Sequence, residues 1–165
     1  MAANLPLQMV RWANTIFCDD IRQEVSGKML VVGMYGESLV VPAFPVTLPT
    51  LCAVITIATP VKQPFKQLAV RLHLDDGLIA EMIVQGGDLG QVAELSPLDQ
   101  QAEPVDTEDA ARVWKSRMVV NLSPFMIEKP GLLRVRIESE SEIIPGGALR
   151  IEAIKPEEAA PAGVQ

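Results

Sequence analysis

The sequence predicts an all-β fold: an antiparallel Greek-key β-sandwich, immunoglobulin-like or similar, with eight or nine strands. Three observations lead there. Apolar residues recur with period two in run after run, the pattern of strands with one buried face. Turn signals such as Asp76-Gly77 and Pro130-Gly131 separate the runs at short intervals. There is no long stretch with apolar residues at helical spacing.

From the N-terminal end, Met9 to Ile21 reads as extended chain. Strands follow over Lys28 to Gly33 and Ser38 to Val41, around a Met34-Tyr35-Gly36 bend. In Leu51 to Ala58 both alternating faces are nearly uncharged, so this strand is central and covered on both sides, or covered on one by a partner. Leu68, Val70, Leu72 and Leu74 alternate with Ala69, Arg71 and His73. After Asp75-Asp76-Gly77 the chain returns with Leu78, Ala80, Met82 and Val84 alternating against Ile79, Glu81, Ile83 and Gln85. An Asp-Gly pair between two such runs is a strong hairpin signal.

Arg117 to Leu122 reads as a further strand, with Met118, Val120 and Leu122 facing inward. Leu133, Val135 and Ile137 alternate with Arg134, Arg136 and Glu138. The polar tip Ser139 to Glu142 then turns the chain onto Ile143-Ile144. Pro145-Gly146-Gly147 is read as another turn before Leu149, Ile151 and Ala153. The long connection, residues 86–113, is too long for an ordinary sandwich loop. Within it, Asp106 to Arg112 has the acidic first turn of a short helix. Residues 1–155 are expected to form one domain, and 156–165 a disordered tail.

The chain has 165 residues, 48% of them hydrophobic and 21% charged, enough apolar material to build a core. Aromatics are only 4%, which weighs against base-stacking surfaces and sugar platforms. The net charge is −7, and Gln85 to Ala111 alone carries seven acidic residues and no basic one. With no basic stripe elsewhere, neither nucleic acid nor an anionic membrane surface is an expected partner. Ser38 to Val61 runs 24 residues without a charge, but prolines 42, 45, 49 and 60 break it, so it is not read as a membrane span. The N-terminal residues lack the pattern of a secretory signal, so the protein is expected to be soluble and cytoplasmic. Its two cysteines, Cys18 and Cys52, are read there as buried, reduced thiols.

Phe17-Cys18-Asp19-Asp20-Ile21-Arg22, then Gly27-Lys28, then Gly33-Met34-Tyr35 resembles the opening of a family of uncharacterised bacterial, or phage-associated, proteins. The spacing Pro45 to Pro49 before the next strand is similar too. The resemblance covers about the first 75 residues. It implies a sandwich-like fold and brings no activity, ligand or catalytic residue. Asp19-Asp20, with Arg22 and Lys28 nearby, has two readings. Either it is an ion-paired turn that fixes how the first two strands meet, or it is a functional display at one end of the sandwich.

The candidate sites are few. Asp19, Asp20, Asp75 and Asp76 are loop carboxylates of the sort calcium-dependent sandwiches gather at one edge. However, no Asp-x-Asp-x-Asp spacing is present, and hairpin chemistry already accounts for Asp75-Asp76-Gly77. His73 is the only histidine, which leaves zinc sites and Ser-His-Asp or Cys-His catalysis without support. Gly86-Gly87-Asp88-Leu89-Gly90 lacks the Gly-Lys-Ser/Thr of a phosphate loop. No catalytic residue and no cofactor is assigned.

The expected function is therefore a non-enzymatic protein-interaction or assembly module. It would bind a protein partner through the acidic loop, at Asp106, Glu108 and Asp109, and self-associate through an apolar strand edge. The alternative is a small-ligand or calcium-binding domain using the loop carboxylates.

Overall fold

Ten consecutive residues from Leu51 to Pro60 carry no charge, and eight of them are at most 3% exposed, with Thr56 and Pro60 half-buried; this segment is the centre of the molecule. The computed structural model describes residues 10–60, 63–85 and 113–154, and these form eleven strands. They are β1 (Trp12–Gln23), β2 (Met29–Met34), β3 (Ser38–Val41), β4 (Val46–Leu48), β5 (Leu51–Pro60) and β6 (Gln67–Leu74). β7 (Gly77–Gln85), β8 (Val113–Leu122), β9 (Phe125–Ile127), β10 (Gly131–Ser139) and β11 (Ile143–Ala153) complete the set.

One sheet has four strands in the order β2-β1-β5-β8, and a second has five in the order β3-β11-β10-β6-β7. The short pair β4-β9 makes a third. Phe17, Ala53, Ile55 and Ile57 of the first sheet share one buried cluster with Leu68, Val70, Leu133 and Val135 of the second. The two sheets thus lie face to face over a common core, and each Ile or Leu buried there contributes about 1.5–3 kcal/mol.

β5 is covered on both faces, as its two-sided apolarity predicts. Its inner residues join the common core, while Cys52 and Val54 belong to a second buried cluster with Cys18. Ile16, Ile21, Met29 and Val31 pack against that cluster, so the chain's own β1–β2 pair supplies the cover. Because β5 lies between β1 and β8, it is an interior strand; of the apolar run, β3 forms a sheet edge.

The expected hairpin is present. β6 and β7 pair antiparallel, with Leu74 opposite Gly77, so Asp75-Asp76 is the two-residue loop. Asp75 takes the positive φ (53°) that a tight hairpin demands at this position.

Three expectations need correction. The strand count among the described residues is eleven rather than eight or nine, in part because β4 and β9 are three residues each and too short to show a period. The sheets are not all antiparallel: β3 pairs parallel to β11, Ser38 opposite Arg150. Finally, Pro145-Gly146-Gly147 is no turn. It is a bulge within the single strand β11, where the register against β10 shifts between Val135 and Arg136. The acidic connection with its short helix and the tail 156–165 lie outside the described residues.

Candidate functional site

The opening motif converges on a bend in the β1–β2 pair. Gly33 adopts φ +65°, and a β-carbon there would stand 1.9 Å from Oδ2 of Asp19. The Tyr35 hydroxyl donates to Asp19 Oδ1, and the Tyr35 N–H donates to the Phe17 carbonyl at 2.8 Å. Burial, followed by the hydrogen bond and charge of Asp19, pushes the Tyr35 phenol up to about 12. Tyr35 is therefore a fixed donor at neutral pH. Asp20 is held locally, its Oδ1 accepting from the Ile21 N–H at 2.8 Å and its Oδ2 from Arg22 Nε at 3.1 Å. Asp19 and Asp20 both lie inside β1 rather than in the expected loop or turn; Asp19 ties β1 to β2 through Tyr35, while Asp20 pairs with Arg22 on its own strand.

Asp75 is also engaged. Its Oδ1 accepts from the Leu132 N–H at 3.0 Å, and its own N–H donates to the Leu132 carbonyl at 3.0 Å. Arg134 donates to the Asp75 carbonyl at 3.2 Å. The loop thus caps the start of β10. Asp19 and Asp75 belong to different sheets, and Asp76 is exposed. Among the described residues, no three His, Cys, Asp or Glu side chains group closely enough to hold a metal ion. Asp106, Glu108 and Asp109 lie outside the described residues.

The outer face of the five-stranded sheet has a different character. Leu133, Val135 and Ile137 turn inward from β10, so Arg134, Arg136 and Glu138 turn outward. Arg71 of β6 bridges Glu81 of β7, at 2.6 Å, and Glu138 of β10. That network occupies one side of the face and leaves it with an excess of one negative charge. Towards β11, Arg136 and Arg150 are exposed and make no ion pair among the described residues. Arg134, Arg136, Ile143, Pro145, Gly147 and Ala148 line an open depression of about 610 Å³. Its floor is apolar and its rim is cationic. The Pro145–Gly147 bulge opens it, since bulges bend a strand and interrupt its pairing.

Sequence reasoning missed Arg11, which closes the opposite end of the molecule. Its side chain is only 7% exposed, and it donates to Thr59 Oγ1, the Gln63 and Pro64 carbonyls, Ser139 and Glu140. The guanidinium also lies 4.5 Å from the centre of the Phe65 ring. A single Arg outside any periodic run leaves no pattern that marks this role. The partners, which also include Glu142 at 3.4 Å, lie up to 131 positions away.

No described helix is long and apolar enough to cross a membrane. No curated protein and no solved structure matches the chain. Residues 14–152, which include the Asp19–Gly33–Tyr35 bend, the Asp75 loop and the arginine-rimmed depression, match a single family description. The chain belongs to that family of unknown function, DUF6941.

Proposed function

We propose that the protein is a non-enzymatic, cytoplasmic protein-interaction or assembly module of bacterial or phage origin, built on an immunoglobulin-like Greek-key sandwich. The observation that carries this reading is the outer face of β10 and β11. There an apolar floor of Ile143, Pro145 and Ala148 lies beside Arg134 and Arg136. Apolar surface beside arginines that make no ion pair among the described residues suits a protein segment that brings carboxylates and small apolar groups together. Arginine loses less on desolvation than lysine and binds carboxylates in a fixed geometry.

The acidic stretch around Asp106, Glu108 and Asp109 is the second half of the proposal, reserved for a basic partner surface. Self-association through an apolar edge now falls to β3, where Val40 is 52% exposed. The calcium alternative gains no support: Asp19 and Asp20 sit within β1 and, like Asp75 in its loop, are already engaged in hydrogen bonds of the fold.

An immobilised poly-glutamate peptide tests the basic face. The full chain should bind at low salt and release as salt rises, and Arg136→Glu with Arg150→Glu should abolish binding. Binding that survives this double change would sink the assignment of the face. Neutralising Asp106, Glu108 and Asp109 leaves that binding intact and instead removes capture on a poly-lysine peptide.

A further inference from the structure

Cys18 and Cys52 stand opposite one another. They are register partners in the antiparallel β1–β5 pair, and both are buried, at 0% and 2% exposure. Register partners in such a pair lie about 4.5–5.5 Å apart at Cα and point their side chains to the same face. That spacing falls inside the range of about 4.4–6.8 Å that a disulfide spans. Both belong to the same buried cluster on the outside of β5, beneath Ile21, Met29 and Val31. The thiols are free, and Cys52 Sγ lies 3.9 Å from the Asp19 carbonyl, at the bend of the β1–β2 arm.

We propose that Cys18 and Cys52 form a reversible cross-strand disulfide that staples β1 to β5 when the protein meets a low-molecular-weight disulfide oxidant. The inference is independent of the interaction face. One cysteine thiolate attacks a sulfur of glutathione disulfide, forming a mixed disulfide and releasing one glutathione thiolate. The second cysteine, as thiolate, attacks the protein-side sulfur and releases the other. Two protein thiols are oxidised and one glutathione disulfide is reduced, and the two cysteine protons pass through solvent to the two released glutathione thiolates, giving two thiols.

The resting state is the dithiol, and the pair responds slowly. Burial, then the neighbouring Cys52, Asp19 and Asp20, pushes the Cys18 thiol up to about 11, and burial raises Cys52 as well. Little thiolate exists at neutral pH, so the rate should climb roughly tenfold per pH unit between 7 and 9. Both sulfurs are buried and packed against Ile21, Met29 and Val31, which restricts access of the oxidant. The pair therefore responds to sustained oxidation rather than to brief exposure.

The test incubates the folded full chain with glutathione disulfide at pH 8.5 and reads intact mass. The expected result is a loss of two hydrogens and a peptide cross-link between Cys18 and Cys52. No thiol should then alkylate after unfolding, and dithiothreitol should restore the original mass. Oxidation should raise the melting temperature by roughly 5–10 °C. Cys18→Ser and Cys52→Ser should each abolish the mass loss. The proposal is overturned by two alkylatable thiols after prolonged incubation of the folded chain, by a persistent glutathione adduct, or by cross-links only between chains.

Discussion

The Asp19 carboxylate fills the space that any side chain at position 33 would need, and Tyr35 holds it there. Position 33 also sits at φ +65°, in the left-handed region where a β-carbon costs about 1–2 kcal/mol on its own. Gly33→Ala should therefore destabilise by about 2–4 kcal/mol, read as a fall in melting temperature. Tyr35→Phe removes one solvent-accessible hydrogen bond and should cost about 1 kcal/mol or less. A Gly33→Ala variant as stable as the parent would mean that Asp19 swings aside freely.

Glu140 links stability to acid pH. Burial acts to raise its pKa, but hydrogen bonds from Arg11 and from the backbone N–H groups of Glu140 and Lys66 outweigh that and bring it down to about 2. A depressed carboxyl stabilises the fold above its unfolded pKa, about 4.3, and loses that contribution as pH falls through about 2. Glu140→Gln should melt lower at neutral pH and show a flatter decline between pH 5 and 2. Added salt should shrink the difference, since the carboxyl is partly solvated.

Asp75 serves the fold through both its backbone and its carboxylate. Asp75→Gly keeps the positive φ and loses the acceptor for the Leu132 N–H, for a cost of about 1 kcal/mol. Asp75→Ala loses both and should cost about 1 kcal/mol more. Thermal melts of the two variants separate the contributions. Millimolar calcium should leave the parent's melting temperature within about 1 °C, and a rise of several degrees would revive the ligand reading.

Gly146 is the extra residue of the β11 bulge and faces the core. A β-carbon there would lie 2.6 Å from Ile137 Cδ1 and 2.7 Å from Val135 Cγ1. Gly146→Ala should cost about 1–3 kcal/mol through overpacking. Pairing it with Ile137→Val makes room and should return part of that loss. Additive melting shifts would show that the two positions are not in contact.

Strand alternation made much of this architecture legible. The β6–β7 hairpin follows from two alternating runs around Asp75-Asp76-Gly77, and the double cover of β5 from its two uncharged faces. Local pattern could not show which strands become neighbours. The β3–β11 pairing joins residues more than a hundred positions apart, and nothing in either segment encodes the other. The same limit hid Arg11 and the Cys18–Cys52 partnership, each made by strands distant in sequence. Pro145-Gly146-Gly147 misled because a bulge and a turn draw on the same residue types. The arginine face was visible as alternation on β10, yet Arg136 differs from Arg71 only by the acids that cross-strand register gives to one and withholds from the other.

The parallel seam between β3 and β11 sets the timetable of folding at the ribosome. β3 emerges early and cannot find its neighbour until more than a hundred further residues have been synthesised. Until then the short apolar strand Ser38–Val41 stands open to other chains, and completion of its sheet waits for the last strand.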